Sequence, residues 1–288
     1  MRFARMLIVV GAMLLATACS TQIGYRFADT FVEWELDEFV ELNESQRQQV
    51  DIAITELHHW HATKELPFYA EQLQILRDKI ATETLTEEDI SATYDIAVVA
   101  WQRMLNGIKP YALTLLPNLS DAQVAQIEAE LARRLAEEQE EFGELSSEER
   151  QAKILKRSRS NAQTWLRRAT PLQDRLLKTW YEERLPTSEL WLAYTEQWHK
   201  AFIAALQQRR NLHEFPQQLN QLLYESNNLY SPELTERVRH NRELTMSMFY
   251  KLYLSLNSKQ RQRVVAKLDE YIEDCNELAV HFEERGLN

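Results

Sequence analysis

Apolar residues recur along the chain at intervals of three and four positions, the spacing that places them on one face of an α-helix. Val50, Ile54 and Leu57 form one such stripe, and Val124 and Ile127 begin another. No stretch alternates polar and apolar residues over four positions between turn residues, so no β-strand is predicted. The pattern predicts an all-α protein, a multi-helix bundle of about ten amphipathic helices without a sheet.

Helix starts are marked by one local pattern, a leucine, a capping residue and a glutamine three positions beyond the cap. In such a capping box the cap side chain accepts from the backbone N–H of the third helical residue, whose side chain accepts from the N–H of the cap. Looser copies pair Thr86 with Asp89 and Ser146 with Glu149. The full pattern occurs at Leu42-Asn43-Glu44-Ser45-Gln46, Leu119-Ser120-Asp121-Ala122-Gln123 and Leu256-Asn257-Ser258-Lys259-Gln260.

Prolines and glycines separate these segments, since proline disrupts a helix interior. Breaks are expected at Pro67 and at Gly107 with Pro110. The similarity of 42–48 to 256–262 indicates either a weak internal repeat or two independent, well-capped starts. The predicted helices are 26–41, 44–65, 68–82, 87–106, 120–142, 147–169, 171–184, 187–210, 212–226, 232–255 and 258–284.

Composition agrees with one helical domain over 26–288. The chain has 288 residues, 44% of them hydrophobic, with only five Gly and seven Pro for tight turns. Its formal net charge of -11 argues against nucleic-acid binding, which needs concentrated Lys and Arg.

The N-terminus carries a targeting pattern. Arg2 and Arg5 precede an apolar stretch that is too short to span a bilayer, and small residues then lead to Cys19. This arrangement resembles a bacterial lipoprotein signal, which implies a signal peptide over 1–18 and a lipidated, palmitate-bearing Cys19 followed by a short tether over 19–25. The alternative is an ordinary secretory peptide with a chance cysteine. Because Ser20 follows instead of Asp, the resemblance implies the outer membrane, with the body in the periplasm.

Cysteine usage agrees with this location. Once Cys19 carries a lipid, Cys275 alone remains, so no intramolecular disulfide can form. Its acidic helical surroundings predict a buried, unreactive thiol.

Charge changes sign along the middle of the chain. Residues 128–149 hold nine acidic and two basic side chains, and residues 150–184 hold ten basic and three acidic ones. Either the two stretches pair as antiparallel helices, or Arg150, Lys153, Arg157 and Arg168 form a face for an anionic partner. The sequence leaves both readings open.

Two further clusters are candidate sites. His58 and His61 share a helix face and are weak candidates for a metal site, but His61 also continues an apolar stripe, so packing is the alternative and no metal is predicted. Trp191, Tyr194 and Trp198 form either an aromatic groove for a peptide or acyl chain or part of the core. No cofactor is expected beyond the lipid on Cys19.

Motifs spread over most of the mature chain resemble an uncharacterised group of all-helical bacterial lipoproteins, which implies fold and location but no activity. The capping pattern is also similar to that of periplasmic chaperones with Leu-Thr-x-x-Gln motifs, although Asn or Ser replaces Thr here. The first resemblance rests on Tyr25-Arg26-Phe27, Trp34, 42–46, Trp60-His61, Leu66-Pro67-Phe68-Tyr69, Trp165, Gln173, Trp180 and Trp198.

No nucleotide-binding, nucleophile-elbow or zinc-protease motif occurs in the sequence, so no catalytic residue is predicted. The leading hypothesis is a lipid-anchored, non-catalytic binding or scaffold module of the cell envelope, with the membrane and an envelope protein as partners. A chaperone-like holder of unfolded envelope proteins and an envelope enzyme are the alternatives.

Overall fold

The computed structural model describes residues 18–286, and their side chains from residue 22 to 285 except at positions 147 and 151. The predicted signal peptide lies outside the described residues up to position 17, and so does the side chain of Cys19. The segment 19–25, predicted as a tether, is helical.

The described residues form an all-α fold without a strand, as the sequence predicts. A π-helical turn at His61–Glu65 and short 3₁₀ segments at Leu116–Asn118 and Ser226–Leu229 connect some of the helices. The helices are α1 (Ala18–Arg26), α2 (Ala28–Phe39), α3 (Glu44–Trp60), α4 (Leu66–Ala81), α5 (Glu87–Leu115), α6 (Asp121–Glu144), α7 (Ser147–Leu166), α8 (Pro171–Glu183), α9 (Ser188–Gln207), α10 (Phe215–Tyr224), α11 (Pro232–Leu254) and α12 (Ser258–Gly286).

The predicted break at Pro67 is absent, because α3, the π turn and α4 form one uninterrupted helix. A proline inside an α-helix removes one hydrogen bond and presses its ring against the carbonyl four residues earlier. The π turn changes the register just before Pro67, where the Leu66 N–H donates to the His61 carbonyl five residues back. The wider turn therefore accommodates the proline.

The predicted end of a helix at 106 is also wrong, since α5 continues through Gly107 and Pro110 to Leu115. Gly107 permits a close helix contact: a Cβ atom at this position would lie 2.6 Å from the Trp60 ring. Pro110 is exposed, so its missing hydrogen bond lies on the solvent side of the helix. Gly107, predicted from the sequence to end a helix, instead allows two helices to pack closely.

The predicted capping boxes at α3, α5, α6 and α7 are confirmed. The cap at Asn257 also has both bonds, between Asn257 N–H and Gln260 Oε1 (3.2 Å) and between Gln260 N–H and Asn257 Oδ1 (3.0 Å). A further box, Thr170 with Gln173, starts α8 and was not predicted as a cap.

The four boxes that contain a glutamine are joined in pairs. At the first junction the amides of Gln46 and Gln123 bond reciprocally, with Nε2 to Oε1 distances of 3.1 and 2.7 Å. Gln46 also donates to the Asn118 carbonyl (3.0 Å), and Gln123 to the Glu41 carbonyl (2.7 Å). Each glutamine thus caps its own helix and binds the segment that enters the other helix.

The second junction repeats this arrangement at α8 and α12. Gln173 and Gln260 exchange bonds of 3.0 and 2.9 Å, and both side chains are buried. Gln260 donates to the Arg168 carbonyl (3.0 Å), and Gln173 to the Ser255 hydroxyl (3.1 Å). The similarity of 42–48 to 256–262 therefore coincides with two equivalent helix junctions.

Three apolar clusters form the core. The largest lies where α9 packs on α6 and α10, around Leu206 and Phe215. The second lies between the π turn and α12, around Leu66 and Cys275, and the third joins Ile80 to α11 and α12. Helix α12 packs along α4 and also contacts α1 and α7, so it connects distant parts of the bundle.

Candidate functional site

The π turn carries a cluster of buried and half-buried polar and aromatic side chains. π-helical turns inside α-helices are rare and occur frequently at functional sites. Ala62 and Leu66 point into the core between this turn and α12. His58, His61 and Glu65 lie on or beside the turn, and Tyr25 reaches them from α1. This group is the candidate functional site.

His61 is held between two phenols. Its Nδ1 atom lies 2.7 Å from the Tyr25 hydroxyl, and its Nε2 atom lies 3.4 Å from the Tyr69 hydroxyl. A neutral imidazole has one donor and one acceptor nitrogen, so one phenol donates and the other accepts. The arrangement joins α1, the π turn and α4 through one histidine.

Burial keeps these groups in their neutral forms near neutral pH. It lowers the pKa of His61 to about 4, with the neighbouring His58 contributing in the same direction. It raises the pKa values of Tyr69 and of the nearby Cys275 thiol to about 12, and that of Tyr25 well above its usual range.

His58 packs against aromatic rings. Its ring centroid lies 4.9 Å from that of Tyr25 and 4.5 Å from that of Phe282 on α12, and burial lowers its pKa. No group of three or more His, Cys, Asp or Glu that could hold a metal ion occurs among the described residues. The ring nitrogens of His61 both have phenolic partners, so this histidine connects helices.

Glu65 forms the ionic part of the site. Its side chain is only 1% exposed and accepts two hydrogen bonds from Arg103 of α5, at 2.7 and 2.8 Å. The Arg103 side chain is 43% exposed, and its guanidinium also lies 4.8 Å from the centroid of the Phe68 ring. A buried carboxylate needs such a bidentate partner, because an unpaired charge in the core is strongly destabilising. This pair connects the π turn to α5.

The predicted basic residues occupy different environments. Lys153, Arg157 and Arg168 are exposed. Arg150 is half-buried: its guanidinium donates to the carbonyls of Phe142 and Leu145 and lies 4.1 Å from the Phe142 ring centroid. Arg150 therefore holds the turn between α6 and α7.

The acidic and basic stretches do not form a packed antiparallel pair within the described residues. Helix α7 packs on α8 and α12, whereas α6 packs on α9 and α2. In the acidic helix, Arg133 and Arg134 pair with Glu130 and with other nearby acids. The basic face of α7 is thus left beside solvent.

The predicted aromatic set divides between two environments. Trp191 and Tyr194 form a trio with Tyr230, with all three ring centroids 4.9–5.4 Å apart and the rings nearly perpendicular. Trp198 stacks on Phe202 at 5.1 Å and donates to the Leu222 carbonyl at 3.2 Å, against the largest core cluster. These contacts indicate packing and no continuous groove.

An open groove of about 920 Å³ lies over the first junction. Two helix N-termini border it, and the capping boxes satisfy backbone N–H groups there. No described helix is long and apolar enough to cross a membrane.

Several residues of the site were not predicted from the sequence. Tyr25 and Tyr69 stand 36 and 8 positions from His61, and no local pattern joins them. Arg103 is likewise distant from Glu65 in sequence. The unpredicted cap of α8 did leave a signal, because Thr170-Pro171-Leu172-Gln173 has a capping residue, a proline at the first helical position and a glutamine at the third.

Comparison with known proteins gives one match. Residues 38–235 match DUF6279, described as a family of unknown function. No curated protein and no solved structure matches the chain. The matched range includes the first junction and the π turn, and it ends just after α11 begins.

Proposed function

The chain belongs to the DUF6279 family, whose function is unknown, and we propose from its own residues that it is a lipid-anchored, non-catalytic envelope protein that binds an acidic partner protein. The exposed basic face of α7 carries this proposal. Residues 150–168 contain seven basic and no acidic side chains, in a chain of net charge -11. Such a local reversal of sign favours attraction of an acidic surface.

The packing of α7 supports this role. The exposed members Lys153, Arg157 and Arg168 lie beside solvent, while Leu166 at the end of the helix is buried. The second junction fixes that end, because Gln260 donates to the Arg168 carbonyl and the Arg263 guanidinium donates to the Thr164 carbonyl. A helix held in this way presents its charges at fixed positions, which lowers the entropic cost of binding.

The site at the π turn supports a structural role in place of catalysis. His61, Tyr25 and Tyr69 are neutral near pH 7, Glu65 is paired with Arg103, and His61 uses both ring nitrogens to connect helices. The cluster therefore stabilises the position of α1, the helix that contains Cys19, on the body.

Photo-crosslinking in cells tests the binding role. A photoreactive residue at the exposed position 160 of α7 is expected to capture one or two proteins, and Arg157→Glu with Arg168→Glu is expected to abolish capture. The matched control is Lys200→Glu with Arg239→Glu, which changes the charge equally on α9 and α11. The proposal would be contradicted if the Arg157→Glu, Arg168→Glu variant still captures the same proteins, or if the control variant loses capture to the same extent.

The lipid anchor needs its own test. Mass spectrometry of the purified full chain is expected to show an N-terminal acylated Cys19, and Cys19→Ser is expected to abolish this acylation. An unmodified Cys19 in the membrane fraction would contradict the anchor and leave the α7 test unaffected.

The chaperone and enzyme alternatives stay open as proposals with separate tests. A holder of unfolded proteins would slow the aggregation of a denatured client when added as the Cys19→Ser chain. An enzyme would show hydrolysis that is lost in a single acidic variant or in a variant of His61 with folding intact.

A further inference from the structure

Helices α1 and α2 follow each other with only Phe27 between them. Phe27 has the non-helical backbone angles of an N-cap (φ -106°, ψ 14°), and its carbonyl accepts the first hydrogen bond of α2, from the Phe31 N–H at 3.1 Å. One face packs on the body: Tyr25 contacts the π-turn site, and Phe39 packs against the largest core cluster. This inner face explains why the segment is folded onto the bundle.

The outer face of the same segment is also apolar. Ile23, Phe27, Phe31 and Trp34 are spaced by four, four and three residues, and they are 60%, 64%, 38% and 68% exposed. We call these four residues the outer ridge. A helix that is apolar on two faces is normally covered on both.

We propose that the outer ridge lies in the interface of the lipid bilayer, beside the proposed lipid on Cys19. This inference rests on the proposed lipid anchor, and it adds an orientation: α1 and α2 lie along the membrane surface with the body above them. The occupant of the ridge is a zwitterionic lipid surface.

The helical register supports this placement. Position 19 precedes Ile23 by four residues, the same interval that separates Ile23 from Phe27, so it falls on the same face. Four helical residues span only about 6 Å, and the helix already includes position 19. A lipid attached there leaves no flexible spacer, so the ridge begins at the bilayer surface.

The chemistry of the ridge selects the kind of surface. Phenylalanine and tryptophan are favoured at the boundary between head groups and acyl chains. Residues 19–39 carry five acidic side chains and one basic side chain, so anionic lipid would not attract the segment. We therefore expect binding that depends on apolar contact and does not weaken as salt is added.

Flotation with phosphatidylcholine vesicles is the first test. The mature chain with Cys19→Ser is expected to float, and Phe27→Ser with Trp34→Ser should lower the bound fraction about tenfold or more, because two large side chains leave the interface. Leu212→Ser is the matched control, since Leu212 is 76% exposed outside the ridge. Equal binding by ridge and control variants would overturn the proposal.

A second test uses the lipidated full chain in vesicles of brominated phosphatidylcholine, which quenches tryptophan emission at the membrane. Quenching is expected in the wild type and should largely disappear in Trp34→Phe, which keeps the ridge apolar. Undiminished quenching in that variant would overturn the proposal. So would a ridge-dependent dimer that does not bind vesicles, because the ridge would then contact a second copy.

The two proposals fail in different ways. An unacylated Cys19 with ridge-dependent flotation would remove the anchor and keep the membrane face. The membrane face would be refuted if the Cys19→Ser chain does not float and the tryptophan emission of the lipidated chain is not quenched. An acylated Cys19 would still support the anchor in that case.

Discussion

The paired glutamines predict a specific effect of exchanging one amide for a carboxylate. In Gln123→Glu the side chain can still accept from the Ser120 N–H, so the local capping box survives. A carboxylate cannot donate, so the bonds to the Glu41 carbonyl and to Gln46 Oε1 are lost. The substitution therefore removes the two bonds that Gln123 donates across the junction, while the cap and the bonds donated by Gln46 can remain.

The expected loss is set by two missing donors at a buried position. One hydrogen bond contributes about 0.5–1.5 kcal/mol net, and an acceptor left unsatisfied costs about 1–3 kcal/mol. We expect Gln123→Glu to lower the free energy of unfolding by about 2–4 kcal/mol in total, since such terms overlap. For a domain of this size, that corresponds to a Tm decrease of roughly 5–10 °C.

Urea and thermal unfolding followed by circular dichroism measure this loss at pH 7. The control is Glu149→Gln, the opposite exchange at the same position of an exposed capping box, and it should change stability by no more than about 0.5 kcal/mol. Below the carboxyl pKa the protonated Glu regains a donor, so the difference should narrow at acid pH. A Gln123→Glu protein as stable as the control would refute the view that the junction stabilises the fold.

Three further substitutions test the π-turn site by urea unfolding. Since burial lowers the pKa of His61 from 6.5 to about 4, stability should fall by about 3 kcal/mol as the pH drops from 6.5 to 4, and His61→Phe should remove most of this dependence. Arg103→Met should cost about 2–3 kcal/mol by leaving a buried carboxylate unpaired, with solvent exposure of the guanidinium limiting the loss, whereas Arg239→Met, in an exposed pair, should cost under about 1 kcal/mol. Gly107→Ala should be destabilised by about 1–3 kcal/mol through overlap with a tryptophan ring, whereas Gly24→Ala, with open space, should not be destabilised. A pH-independent stability, or equal effects within either matched pair, would contradict these assignments.

The sequence predicted the features that depend on local spacing. Apolar stripes and capping boxes act over three or four residues, so the all-α class and most helix starts followed directly from them. The burial of Cys275, predicted from its place in a helix, is likewise confirmed.

The features that the sequence did not predict depend on contacts between distant residues. Gln46 and Gln123 are 77 positions apart, and nothing at either cap indicates its partner. A search for apolar residues at a 3.6-residue period cannot detect a π turn, so Pro67 was predicted as a break. The charge reversal suggested a paired helix hairpin, but apolar packing on α12 and α8 determines where α7 lies. Exposed ion pairs contribute too little to override such packing.

Helix α12 connects the proposed membrane-binding helix α1 to the basic helix α7. Near its N-terminal end, Arg263 holds the last turn of α7, and farther along, Phe282 packs against Tyr25 of α1. These two contacts are nineteen residues apart, a separation of about 28 Å along the helix axis at 1.5 Å per residue. If α1 lies on the bilayer as proposed, α12 holds the basic helix at a fixed offset from α1. A partner bound there would be positioned relative to the anchor by one rigid helix, which is the property a scaffold needs and a flexible tether cannot supply.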